Sequence, residues 1–212
     1  MNVSGMVSEP YVESSTQLTT DKIMSDESYE KLFTLIQRAV SYVESNSDID
    51  WSEYDLNSDG CLDNVHLITN FDTNKYQTQT GSSPWGLPLW PHMYEAGNYG
   101  AVSKPSANVY SISAIDHVDS YITATHEQGH IFGLQDYYDY SGTEVDYVGG
   151  ADMQSYNVFD WNSYSKLTVG WVSPYVIDGS SDYAEITLSA ASLNGDCLII
   201  PANYETFNGS AF

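Results

Sequence analysis

A mixed α/β (α+β) fold, a twisted mixed sheet with one backing helix and one chemistry-bearing helix, is what this chain predicts. Three observations carry it. An apolar stripe at helical spacing runs through residues 26–45; two short β-rich runs, VHLIT and VYSISAI, stand far apart; and between the second run and a polar tail lies a helical segment, about 119–133, holding THEQGHIFGLQD. Strands separated by helical patterns read as a sheet with helices packed on it.

Each element has its own justification. Residues 1–24 are polar, with strand-like pieces around Val3–Val7. From Ser25 the pattern changes: Tyr29, Leu32, Phe33, Ile36, Val40 and Val43 recur every three or four residues. Ser25 or Asp26 can cap this helix, and Asp26 and Glu27 suit its positive end. DLNSDGCLD then reads as an acidic turn and Val65–Thr69 as a strand. Residues 71–108 hold no long periodic segment, so they read as a loop, anchored by Trp85, Leu87, Leu89, Trp90 and Tyr94. Val109–Ile115 is the second strand, and Asp116 or Asp119 can cap the helix after it. The tail is strand-like at Ala184–Leu188 and Cys197–Ile200, with turns at Asp178-Gly179 and Asn194-Gly195. These readings place one domain over residues 1–175 and a β-rich extension over 176–212.

Charge and composition exclude several function classes. The 212 residues carry 29 acidic against 6 basic side chains, net −23, which argues against a groove for nucleic acid or anionic lipid. At 42% hydrophobic the chain can bury a core. No run of ~18 apolar residues could span a membrane. MNVSGMVSEPYVE has neither the basic start nor the apolar stretch of a signal peptide. The wealth of Tyr, Ser, Asn and Asp with little Lys hints at an extracytoplasmic bacterial protein. Cys61 and Cys197 are the only cysteines, and a bridge or two free thiols both remain open.

His126 and His130 are four apart, so their imidazoles project from one helical face and can share one tetrahedral ion. Glu127, beside the first ligand, can take a proton from a zinc-bound water and pass it to a leaving amine. Gly133 costs about 1 kcal/mol inside a helix and is at ease in a left-handed C′ position, so it predicts a sharp turn. That turn would return Asp136 as third zinc ligand, with Asp139 and Glu144 as rivals. Tyr137 and Tyr138 would then wall the site.

Residues Asp55, Asn57, Asp59 and Asp63 around Gly60, with the Cys61 backbone carbonyl, match alternate oxygen ligands for calcium. His66 stands where a closing bidentate Glu would be expected, and an Asx turn without a cation is the competing reading. His66, His92 and His117 read as structural histidines. His92, in Trp90-Pro91-His92, is the one placed to line a cleft. No Ser or Cys lies in a nucleophile context.

H-E-x-x-H-x-x-G-x-x-D resembles the extended zinc signature of metzincin peptidases, with Asp in place of the usual third His. Downstream, GGADMQSYNVFDWNSYSKLTVGWV (Gly149–Val172) resembles the segment after the active site in the immune inhibitor A family of secreted bacterial metallopeptidases. DYYDYSG and LWPHMY are similar to further segments of that family. The resemblance implies a metzincin-like fold, a zinc endopeptidase acting on extracellular protein or peptide, and secretion. It also implies a methionine turn at Met153 beneath the zinc ligands and a candidate oxyanion or zinc contact at Tyr156. Family domains begin upstream of the residues present here and continue past residue 212, so a fragment is expected. Another amide as substrate, in peptidoglycan or a mucin-linked peptide, and a calcium-stabilised binding module with an inactive site are the alternative readings.

Overall fold

A computed structural model describes residues 5–95, 107–115, 120–141, 148–157, 160–177 and 185–200. The chain divides after Ile131 into two units, Val3–Ile131 and Phe132–Phe212.

In the first unit a short helix, α1 (Thr20–Met24), buries Ile23 and Met24 and leads into α2 (Glu30–Asn46). Helix α2 buries Leu32, Phe33, Ile36 and Val40, the stripe its sequence predicts. It begins four residues later than its apparent cap. Asp26 does not precede the first turn directly; its Oδ2 accepts from the Lys31 amide at 2.7 Å across a turn that Tyr29 closes at φ 61°. The Ser28 hydroxyl, with the Lys31 amide and ammonium behind it, holds the Asp26 carboxyl below the usual carboxylate range.

A 3-10 turn, Trp51–Tyr54, precedes the acidic turn, and β1 (Val65–Thr69) follows. The segment read as a loop then departs from expectation twice. Thr73–Thr80 form helix α3, and His92–Glu95 form strand β2. Helix α3 (TNKYQTQT) buries only Thr73, so it has no apolar period to read. Its ends define it instead: Asp72 Oδ1 accepts from the Lys75 amide at 2.7 Å, and Gly81, at φ 70°, donates to the Gln77 carbonyl at 2.8 Å. Strand β3 (Val109–Ala114) and helix α4 (Ser120–Ile131) complete the unit. The strand expected near Val3–Val7 is absent from the described part of that stretch, residues 5–7.

The three strands form one small mixed sheet in the order β1-β3-β2, with β1 parallel and β2 antiparallel to β3. The two faces of β3 differ in chemistry. Tyr110 and Ile112, both fully buried, join the apolar cluster of α2, where Phe33 meets Tyr110 edge to face at 5.5 Å. Ser111 and Ser113 turn the other way, and α4 packs across β3 and β2. The alternation follows from the two-residue period of a strand.

In the second unit α5 (Met153–Tyr156) and α6 (Ser163–Thr168) are short helices, each with an Asx cap: Asp152 accepts from the Gln154 amide and Asn162 from the Ser165 amide. Trp171 stacks edge to face on Trp161 at 5.0 Å and on Phe132 at 5.2 Å. Lys166, buried, pairs with Asp160. Strand β4 (Tyr175–Val176) pairs in parallel with β5 (Leu198–Ile199), and helix α7 (Ala191–Asn194) ends at Gly195, φ 75°. The tail therefore departs from its reading: residues 185–188 form no strand, and the second run shortens to Leu198–Ile199. Neither Cys61 nor Cys197 is in a disulfide.

No helix among the described residues is long and apolar enough to cross a membrane.

Candidate metal centre

Helix α4 carries the H-E-x-x-H residues on its last two turns, and the candidate caps Asp116 and Asp119 lie outside the described residues. His126 and Glu127 are buried, and His130 is half-buried at the helix end. The Nε2 atoms of His126 and His130 face each other at 3.2 Å, with the ring planes at 85°. Two nitrogens each ~2.0–2.1 Å from one tetrahedral ion must sit about 3.3 Å apart, so the pair matches one zinc-sized cation. A ligand atom of Glu127 lies within 4.8 Å of both, and these three residues can hold a metal ion. Among the described residues they form the one group of His, Cys, Asp and Glu side chains gathered this closely.

The helix stops where glycine predicts a stop. Gly133 takes φ +90°, and nothing lies within 4 Å of a Cβ added there. The requirement is therefore conformational: a side chain would fit the space but strain the backbone.

Beyond that turn the residues belong to the second unit. Asp136 accepts a hydrogen bond from the Tyr140 hydroxyl, so its carboxylate is oriented within its own turn. Burial, followed by the neighbouring Tyr140 and Asp136, pushes the Tyr138 phenol up. The Tyr137 hydroxyl bonds Ser165 Oγ at 2.8 Å, and the Tyr137 amide donates to the Gln154 carbonyl at 2.8 Å. Asp139 accepts from the Ser141 amide and hydroxyl at 2.7 and 2.6 Å. Glu144 lies outside the described residues. Met153 is buried and opens the single turn of α5; Tyr156 closes it and is exposed.

The acidic turn uses its oxygens on its own backbone. Asp55 accepts from the Asp59 and Gly60 amides at 3.0 and 2.9 Å, Asn57 from the Asp59 amide at 3.0 Å, and Asp59 from the Cys61 amide at 2.8 Å. Asp63 Oδ2 accepts from the Leu56 amide at 3.2 Å. The Cys61 amide, ahead of the Asn57 side chain, lowers the Asp59 carboxyl. Ser58 and Gly60, both at positive φ, shape the turn. This is the Asx-turn pattern, with each short acceptor satisfied by an amide two to seven residues away.

His66 and His92 serve the fold. His92 Nδ1 donates to the Trp90 carbonyl at 2.6 Å, which leaves Nε2 to accept from the Tyr110 hydroxyl at 2.7 Å. Burial lowers the pKa of both rings from 6.5; at His92 the bond to Trp90 opposes the shift. A histidine whose folded pKa is depressed is neutral when the unfolded chain already binds a proton. Stability is thus complete above pH 6.5 and lost as pH falls toward the folded value. Each ring should steepen that loss by up to about 1.4 kcal/mol per pH unit. Urea midpoints between pH 7.5 and 5 should fall, and less steeply for His92→Phe. Equal slopes would show that His92 does not stay neutral in the folded chain. Carboxylates contribute below this window, near pH 4.

Against family models, curated proteins and solved structures alike, the chain finds no match.

Gln128 is the residue that sequence reading passed over. The available signal was a polar side chain on the one face of α4 that should meet the sheet.

Proposed function

We propose that this chain is a zinc-dependent endopeptidase with a metzincin-like catalytic fold, similar to the immune inhibitor A family of secreted metallopeptidases. The observation that carries the reading is the facing Nε2 pair of His126 and His130 at 3.2 Å with the Glu127 carboxylate beside it. A chance H-E-x-x-H on a solvated helix would place its histidines in water; here His126 and Glu127 are buried.

In this reading His126 and His130 hold the metal, and Asp136 is the third ligand that the sequence spacing proposes. Zinc supplies Lewis acidity, bringing the pKa of a water down to about 7 and polarising a carbonyl. The chain's own residues do the rest. Glu127, one residue past a ligand, accepts the water proton at its carboxylate and returns it to the departing amine nitrogen. Tyr140 steadies the Asp136 carboxylate through its hydroxyl. By the family resemblance Met153 is the candidate floor beneath the ligands, and Tyr156 the candidate donor to the developing oxyanion. In this reading the substrate lies extended along a sheet edge, with its carbonyl toward the metal.

The test is metal content and metal dependence. Purified chain equilibrated with zinc should retain one zinc per molecule and cleave an unfolded protein. Chelation should remove both properties, and added zinc should restore both. A chain that retains no zinc would defeat the reading outright. Zinc bound without cleavage would defeat the peptidase assignment for these 212 residues while leaving the metal centre.

A further inference from the structure

We propose that Gln128 is a positioning residue of the metal centre, setting the rotation and height of α4 through a hydrogen-bonded chain anchored on the sheet. The inference rests on the metal reading above and extends it to residues that touch no metal.

The geometry starts from helix spacing. At 100° per residue, Gln128 projects about 160° away from both His126 and His130. It therefore reaches into the sheet when the histidines point away from it. There its Nε2 donates to Ser111 Oγ at 2.8 Å and approaches His66 Nδ1 at 3.1 Å. Ser111 Oγ lies 2.7 Å from His66 Nδ1, and His66 Nε2 lies 3.0 Å from Ser113 Oγ. The amide oxygen of Gln128 accepts from Asn64 Nδ2 at 3.2 Å.

These contacts have one consistent direction. The Gln128 amide donates to Ser111, so the Ser111 hydroxyl is free to donate its own hydrogen bond to His66 Nδ1. His66 must then carry its proton on Nε2 and donate to Ser113. One side chain of α4 is thereby tied to β1 at His66, to β3 at Ser111 and Ser113, and to Asn64 just before β1. His66 and Ser111 are register partners in the parallel β1–β3 pair, so the anchor is set by backbone pairing.

The chemistry of the interface explains why this matters. An apolar helix face packs without direction and tolerates small rotations and slides. The face of β3 toward α4 is instead serine, and a hydrogen bond weakens steeply when its angle or length changes. A rotation of α4 that broke the Gln128 bonds would equally swing His126, Glu127 and His130. Partners that hydrogen-bond metal ligands typically contribute 10–100-fold to metal affinity or activity, and a residue that acts through the helix belongs at the lower end of that range.

The probe is Co2+, whose visible absorption reports coordination geometry. Gln128→Met keeps length and volume but removes both polar ends. Ser111→Ala removes the next link with a smaller change, and serves if the first variant does not fold. The full chain is titrated with Co2+ while thermal melting is followed separately. Co2+ affinity lower by about 10-fold or more, with a changed visible band, supports the assignment. Wild-type affinity and an unchanged band, even with a lowered melting temperature, overturn it and leave the metal reading standing. Failure of the wild-type chain to bind Co2+ at all overturns both.

Discussion

If the proposed peptidase chemistry holds, Glu127→Gln should lose between about 10²- and 10⁴-fold in the rate of peptide cleavage and keep its metal, because general acid–base catalysis contributes on that scale. The substitution preserves shape in a place where shape counts: Glu127 is only 7% exposed, between His126 and His130 on the same helix. What the amide lacks is a basic oxygen. It can hold a water by hydrogen bonding, but it cannot accept that water's proton, and it cannot return one to the amine. His126→Ala should behave differently and lose zinc together with activity, since one of the facing nitrogens disappears. Zinc stoichiometry and initial rates on an unfolded protein, measured on both variants, separate the two roles. Unchanged cleavage by Glu127→Gln would show that another group is the base, or that the activity belongs to a contaminant. Loss of zinc from Glu127→Gln would make Glu127 a ligand and remove it from proton transfer.

The legible parts of this chain share a property: their pattern is set by neighbours close in sequence. Strand β1 spans Val65–Thr69 as read, and β3 ends one residue before the expected Ile115. In α2 the stripe from Leu32 to Val40 could face only a core. The H-E-x-x-H spacing foretold that two imidazoles would meet, and Gly133 announced the end of their helix. Helix α3 was missed because a polar eight-residue helix is held by Asp72 and Gly81, not by an apolar period. Strand β2 was missed because HMYE becomes a strand only through its pairing with Val109–Ile112. Asp26 shows the same limit on a smaller scale, since it caps from five residues away over a turn that propensity does not reveal. The His66–Ser111–Gln128 chain was out of reach for a similar reason. Its members are 45 and 17 residues apart, and only strand register brings them together.

The largest stability effect should come from Asp152→Ala, at about 2–5 kcal/mol, since each amide left without its acceptor costs about 1–3 kcal/mol and a small cavity adds to that. Asp152 is fully buried, and its two oxygens serve different elements. Oδ1 accepts from the Gln154 amide at 2.7 Å and caps α5; Oδ2 accepts from the Asn162 amide at 2.6 Å, where α6 begins. One carboxylate thus joins two helices that are too short to persist alone. Gln154, also fully buried, extends the join: its side-chain oxygen accepts from Trp161 Nε1 at 3.0 Å, and its carbonyl accepts from the Tyr137 amide at 2.8 Å. Alanine would leave the buried Gln154 amide and the half-buried Asn162 amide without their acceptor and open a small cavity. Asparagine should cost roughly half as much, because its oxygen can still serve one amide while its NH2 group opposes the other. Urea titration monitored by the fluorescence of Trp161 and Trp171, which stack in the same unit, would measure both. A loss below about 1 kcal/mol for Asp152→Ala would mean that the amides find other acceptors and that the carboxylate is not what holds α5 to α6. Met153 directly follows this residue. Loosening the join should therefore disturb the single turn of α5 before it unfolds the unit.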